Sequence, residues 1–178
     1  MLPPDDARAR ARRIRLLLLD VDGVLTDGSV VLLGDGQEIK SFHVRDGTAI
    51  VLARREGIQV GLLSGRSSDV TTRRAAELGI TLVVQGELDK GAAFDRILTD
   101  AGLHPDEVAF MGDDLLDLPA LRRAGLSAAP SDAVREVLAE VHWVSGQPGG
   151  RGAVRELVEL LLSSRGRWDR WAKAETIR

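Results

Sequence analysis

Short apolar runs alternate with segments of helical period along the whole chain. Residues 14–19 read as a strand, and 29–33 with 38–42 as a hairpin turning at Gly34-Asp35-Gly36. An amphipathic helix is expected over 46–56, a strand over 58–63 and a second helix over 67–78. A strand at 81–84 leads into a helix at 90–101, and a strand at 108–111 into a helix from about 115 to 124. Strands at 126–129 and 142–144 bracket a helix over 132–140, and 153–162 is the last clear helix. Gly57, Gly79, Gly102 and Gly125 each follow a helical segment, where a left-handed residue ends a helix at low cost. This alternation predicts an α/β fold, a Rossmann-like parallel sheet wound on both faces. The hairpin is its one insertion, directly after the first strand.

No repeat, low-complexity linker or block long enough for a separate cap domain divides the 178 residues, so a single domain over 1–178 is expected. Residues 1–13 read as a solvated basic leader and 163–178 as a C-terminal tail. The leader resembles the opening of a signal peptide, but its apolar run is short, broken by Arg15, and ends in acids. Trp168 and Trp171 lie three apart on a possible helix of the tail; packing is the reading preferred over a clamp on substrate.

Composition narrows the chemistry. A net charge of −3 gives no bias toward nucleic acid or membrane, and 3% aromatics without tyrosine offers no base-stacking platform. Neither partner is expected. The absence of cysteine removes thiolate nucleophiles and cysteine-ligated metals and fits a reducing cytoplasm. His43, His104 and His142 show no metal-ligand spacing.

The informative feature is where the acids fall. The first strand, LLLL, runs straight into Asp20-Val21-Asp22-Gly23. The next parallel strand ends in Ser64-Gly65-Arg66, Lys90 opens a helix after the third, and the fourth runs into Gly112-Asp113-Asp114 with Asp117 beyond. Ligands of parallel α/β sheets bind at the carboxyl ends of strands, so these distant groups are expected to converge.

Phosphoryl transfer assisted by Mg²⁺ needs such a set. Asp20 is placed to attack phosphorus, and Asp22 to protonate the leaving oxygen and later deprotonate water. Ser64 and backbone N–H groups at Gly65 suit phosphate oxygens, and Lys90 offsets the accumulated charge. Asp113 would complete an oxygen-ligand site for Mg²⁺, with Asp114 and Asp117 supporting it. Any one of these residues alone reads better as a cap or a solvated side chain. Their order along four strand ends is what argues for a site. Arg66, Arg45 and Arg151 are candidates for gripping a substrate carboxylate in a bidentate fork.

DVDGVLTDG at 20–28, LLSGR at 62–66, DK at 89–90 and GDDLLDLP at 112–119 resemble the four motifs of the haloacid dehalogenase superfamily. The resemblance implies that Asp20 is the nucleophile and Asp22 the acid/base. It also implies Mg²⁺ held by Asp20, Asp113 and the Asp22 backbone carbonyl. FHVRDGTAI at 42–50, LGITLVVQGELDK at 78–90 and GGRGAVRELVELLL at 149–162 are similar to the capless 3-deoxy-D-manno-octulosonate 8-phosphate phosphatases of lipopolysaccharide sugar synthesis. That implies a phosphorylated sugar-acid substrate and a homotetramer. In it, 29–42 would pack between subunits and 149–155 would approach a neighbour's site. Arg66 stands where the related nine-carbon branch carries glutamate, which favours the eight-carbon substrate. Thr48-Ala49 departs from the family's bulkier residue and glycine.

Two other classes fit the order of the motifs less well. A signalling receiver domain phosphorylates an aspartate that precedes its hydroxyl and lysine, whereas here the second acid cluster follows Lys90. A non-catalytic scaffold domain has no need of its acids, yet Asp20, Asp22, Lys90 and Asp113 are all present.

Overall fold

The computed structural model describes residues 5–34 and 36–173. Asp35 of the expected hairpin turn, residues 1–4 of the leader and residues 174–178 of the tail lie outside the described residues.

The first element corrects the expected solvated leader. Residues Asp5–Ala11 form a helix, α1, with acids in its first turn and arginines in its last, as the helix dipole favours. Ala7 and Ala11 are buried in the core, so the arginine-rich stretch is one face of a packed helix. β1, Leu16–Leu19, then enters the centre of the sheet. The hairpin strands are shorter than expected, β2 at Val31–Leu32 and β3 at Glu38–Ile39. Next come α2 (Val44–Arg55), β4 (Gln59–Leu63), α3 (Asp69–Glu77), β5 (Leu82–Val84) and α4 (Lys90–Ala101). β6 covers Val108–Met111. The expected helix at 115–124 is instead a 3₁₀ turn, Leu115–Asp117, followed by a short α5, Leu118–Leu121. β7 (Leu126–Ala129), α6 (Arg135–Leu138), β8 (Trp143–Val144), α7 (Ala153–Ser164) and α8 (Asp169–Ala172) complete the chain.

The six-stranded sheet is parallel throughout, in the order β5-β4-β1-β6-β7-β8. β1 therefore pairs on both sides, Leu16–Leu19 against Gln59–Leu62 and against Val108–Met111. Its four leucines serve two cores. Leu17 and Leu19 join the cluster under α1, α2 and α7, while Leu16 and Leu18 join Phe94, Phe110 and Leu121 under α4 and α5. A strand buried on both faces has no polar positions to alternate, which is why the run is uniformly apolar. After β1 the sheet grows outward through β4 and β5, then resumes at β6 on the other side. That reversal opens a crevice at the carboxyl end of β1, directly at Asp20.

Two contacts tie the segment entering α7 to the rest of the fold. The Asp46 carboxylate on α2 accepts from the Gly152 N–H at 3.1 Å and the Arg155 N–H at 2.8 Å, capping the start of α7 across the fold. The Gly149-Gly150 pair lies against the turn after β1. A Cβ on Gly149 would stand 1.8 Å from the Gly23 carbonyl oxygen. In the tail, Trp171 is buried in the core with its indole N–H donated to Glu56 at 2.8 Å, and Trp168 packs under the Arg155 guanidinium. Both tryptophans therefore serve packing within the chain.

Candidate active site

Asp20 follows β1, Ser64 follows β4, Lys90 opens α4 and Asp113 follows β6. All four line one cavity of about 260 Å³, together with Asp22, Gly65, Arg66, Asp114 and Asp117. The sheet thus brings together the residues expected from the strand ends. Larger grooves lie elsewhere on the surface, but Asp20, Asp113 and Asp117 form the one cluster of metal-competent side chains among the described residues.

Asp20 is buried, with its N–H continuing the sheet to the Met111 carbonyl at 3.0 Å. Its Oδ1 is 2.9 Å from the Lys90 ammonium, which also pairs with Asp117 Oδ1. Lys90 is itself buried. Burial alone would lower its proton affinity, but Asp20 and Asp117 outweigh that and raise it, so the group stays an ammonium. Asp117 is fully buried and turns its other oxygen back on the loop, accepting from the Asp113 N–H at 2.9 Å and the Asp114 N–H at 3.2 Å. Gly112 permits this fold-back, because a Cβ there would lie 2.5 Å from Asp117 Cβ. Asp117 is therefore the strut that sets both Lys90 and the Asp113 loop. The Asp114 carboxylate caps the 3₁₀ turn through the Leu115 N–H at 2.7 Å and supports the site only through its backbone.

Asp113 faces Asp20 across Gly23. The glycine has φ +91°, and a Cβ on it would fall 2.0 Å from Asp113 Oδ2. No side chain fits between the two acidic loops. Burial, reinforced by Asp20 and Asp117, pushes the Asp113 carboxyl up to about 8. Burial and Asp117, partly offset by Lys90, push Asp20 up to about 7. Three carboxylates against one ammonium leave negative charge uncompensated. Asp113 Oδ1 is buried without a hydrogen-bond partner. These residues fit a divalent cation: two hard oxygen donors face each other with an orphaned lone pair and excess negative charge between them. Asp20 and Asp113 would hold it. Asp117 is fully engaged by its hydrogen bonds, and the Asp22 side chain turns toward the hairpin, leaving only its backbone carbonyl for a metal.

Ser64 is buried, and its hydroxyl accepts from the Arg66 N–H at 3.3 Å at the cavity floor. Arg66 reaches over the cavity, with Nη2 2.7 Å from Glu38 Oε1 and Nη1 3.9 Å from Asp22 Oδ2. Arg45 is exposed near the start of α2, and Arg151 is exposed in a separate 260 Å³ pocket with Asp27, Phe42 and His43. Within one chain neither meets Asp20.

Two side chains escaped the sequence reading. Lys40, just past β3, has a side chain 1% exposed and pairs with Asp22 Oδ1. Glu38 receives Arg66 and the Ser68 hydroxyl. The signal was the inverted alternation Glu38-Ile39-Lys40: in a strand the two charges share a face, and here that face turns inward while Ile39 is 49% exposed.

The family model for haloacid dehalogenase-like hydrolases matches residues 33–125. The chain is 43% identical over 172 residues to the 3-deoxy-D-manno-octulosonate 8-phosphate phosphatase KdsC of Escherichia coli (strain B / BL21-DE3), covering 97% of this chain and 91% of that protein. The crystal structure of the phosphatase of the same name from Yersinia pestis superposes with a TM-score of 0.91 at 41% identity, covering 93% of this chain and 89% of that one. The structure from Moraxella catarrhalis, in complex with magnesium ion, phosphate ion and a KDO molecule, gives 0.94 at 34% identity, covering 97% and 99%. By sequence, fold and the arrangement of its acids, this chain belongs to the haloacid dehalogenase-like hydrolases.

Proposed function

We propose that the protein is a Mg²⁺-dependent phosphatase hydrolysing 3-deoxy-D-manno-octulosonate 8-phosphate, in lipopolysaccharide sugar synthesis, to the free sugar acid and phosphate. The observation that carries the reaction class is the buried Asp20 held 2.9 Å from Lys90 and facing Asp113 in one cavity. The substrate rests on the relatives of that name, which match nearly the whole chain.

Asp20 attacks phosphorus, forming an aspartyl-phosphate as the sugar oxygen leaves with a proton from Asp22. Water then attacks the phosphoryl group, returns its proton to Asp22 and frees Asp20. The Ser64 hydroxyl and the N–H groups around Gly65 bind the phosphate oxygens, while Lys90 balances their charge beside Asp20. Mg²⁺, when bound by Asp20, Asp113 and the Asp22 carbonyl, offsets the repulsion between the acids and the incoming phosphate. Arg66 reads the substrate carboxylate at the mouth of the cavity.

Specificity beyond Arg66 comes from assembly. Val31 and Ile39, paired across the hairpin strands, are exposed, an apolar face suited to packing on other copies of the chain. In a homotetramer so formed, Arg151 or Arg45 of one copy would reach the open cavity of the next. A cytoplasmic location fits a sugar-phosphate substrate and a chain without cysteine. No helix among the described residues is long and apolar enough to cross a membrane.

The test compares kcat/KM for the eight-carbon 8-phosphate, the nine-carbon ulosonate 9-phosphate and simple sugar phosphates, with Mg²⁺ and after chelation. Preference for the eight-carbon compound and dependence on Mg²⁺ are expected. A preference for the nine-carbon compound would reassign the substrate, and turnover unaffected by chelation would overturn the mechanism.

A further inference from the structure

Lysines on short exposed hairpins are ordinarily solvated, yet the Lys40 side chain is 1% exposed. It reaches inward over the cavity and donates to Asp22 Oδ1. Glu38 Oε1 lies 3.7 Å from the same ammonium, and is itself fixed by Arg66 at 2.7 Å. The two oxygens of Asp22 are therefore unlike. Oδ1 is committed to Lys40, whereas Oδ2 is buried, has no hydrogen-bond partner, and stands 3.9 Å from the Arg66 guanidinium, beyond hydrogen-bond reach.

We propose that Lys40 is a positioning residue for the reaction, fixing the Asp22 carboxyl so that Oδ2 is the oxygen that carries the proton to and from substrate. An ammonium has only donors, so an oxygen that accepts from it cannot also bear a proton toward it. The carbonyl oxygen of a carboxylic acid is the better acceptor, so pairing Oδ1 with the ammonium favours the proton on Oδ2. As the bond from phosphorus to the sugar oxygen breaks, that proton passes from Oδ2 to the departing oxygen, and Oδ2 later takes one from the attacking water. Without Lys40 the carboxyl group is free to rotate and present either oxygen. Glu38 sets the ammonium in turn, linking the hairpin to the proton-transfer step. This inference rests on the phosphatase reading and adds a residue outside the four strand ends.

General-acid help matters most for a poor leaving group such as a sugar alkoxide and little for 4-nitrophenolate, which leaves unaided. The experiment is single-turnover release of the leaving group by the full-length protein with Mg²⁺. The substrates are 4-nitrophenyl phosphate, phenyl phosphate and the eight-carbon 8-phosphate, and the proteins are the parent, Lys40→Met and Lys40→Arg. The expected result for Lys40→Met is a rate loss of about tenfold or more on the sugar phosphate, with KM little changed. Phenyl phosphate should lose less, and 4-nitrophenyl phosphate should stay within about twofold. Lys40→Arg should recover part of the sugar-phosphate rate. An equal loss on all three substrates, or no loss on any, would overturn the proposal. Should Lys40→Met not fold, Lys40→Arg decides: a loss that grows as the leaving group worsens supports the role, and a uniform one removes it. A parent that ignores the sugar phosphate would sink the substrate reading alone, since the two aryl phosphates still test Lys40.

Discussion

The Lys90 ammonium stands 2.9 Å from Asp20 Oδ1 and bonds Asp117 Oδ1 at the same time, with all three groups buried. One cation thus holds Asp20 and the strut of the facing loop. Removing one member of such a set leaves buried charge unpaired, which costs about 3–5 kcal/mol. Lys90→Met is therefore expected to lose turnover and to shift the urea midpoint sharply downward. A variant with parent-like stability would show that Asp20 and Asp117 are not balanced by this lysine.

The raised positions of Asp20, about 7, and Asp113, about 8, describe two carboxyls awaiting positive charge. A ligand that binds only the folded state stabilises it by about 2.7 kcal/mol at a hundredfold excess over its Kd. Mg²⁺ is expected to raise the Tm of the parent protein and to leave that of Asp113→Asn unchanged. Thermal unfolding at increasing Mg²⁺, without substrate, measures this apart from activity. Equal shifts in both proteins would remove Asp113 from the metal site.

The framework of this site was legible because the residues at four strand ends are fixed by backbone topology. Once β1, β4 and β6 are parallel neighbours, Asp20, Ser64 and Asp113 must share an edge. Lys90 was legible for the same reason, as the first residue of α4. Lys40 and Glu38 were not, because their position depends on how the hairpin folds back over the crevice, and nothing in local pattern sets that angle. α1 was misread for a related reason. Its buried face consists of Ala7 and Ala11, too small to give an apolar signal among four flanking arginines. The tail's packing was legible in kind, since two tryptophans spaced for one helical face seek a surface to cover.

His142, outside the site, gives the fold a pH dependence. Its Nδ1 accepts from the Ser127 N–H at 3.0 Å, which requires an unprotonated ring nitrogen. Burial, helped by the Arg10 charge, lowers its pKa below the ordinary 6.5. The unfolded chain then binds the proton more readily, so stability rises with pH. The contribution is present above about 6.5, the unfolded value, and is lost as pH falls through the depressed folded value. The substitution His142→Asn keeps an acceptor at this position without a titrating group. Relative to that variant, the stability of the parent should decline as pH falls from about 7.5 to about 5, the window of histidine titration. Urea unfolding of both proteins across that range checks it; a constant difference would uncouple this imidazole from folding.

The two faces of the hairpin have opposite character. Glu38 and Lys40 turn toward the cavity, while Val31 at 47% exposure and Ile39 at 49% face outward. Val31 pairs with Ile39 across the strands, so the outer face is a contiguous apolar patch on a two-stranded sheet. An isolated two-stranded sheet is marginal in water, and contact with other copies would both cover the patch and hold the inner charges in place. Val31→Glu puts a charge in that patch without touching the core. It is expected to reduce the mass measured by light scattering to that of a monomer while leaving the helix and strand content unchanged. The variant should also lose kcat/KM on the sugar acid more than on 4-nitrophenyl phosphate, since carboxylate-reading arginines from a neighbour would be absent. A parent protein that is already monomeric would end the tetramer reading, and a monomeric variant with full selectivity would place all of the specificity within one chain.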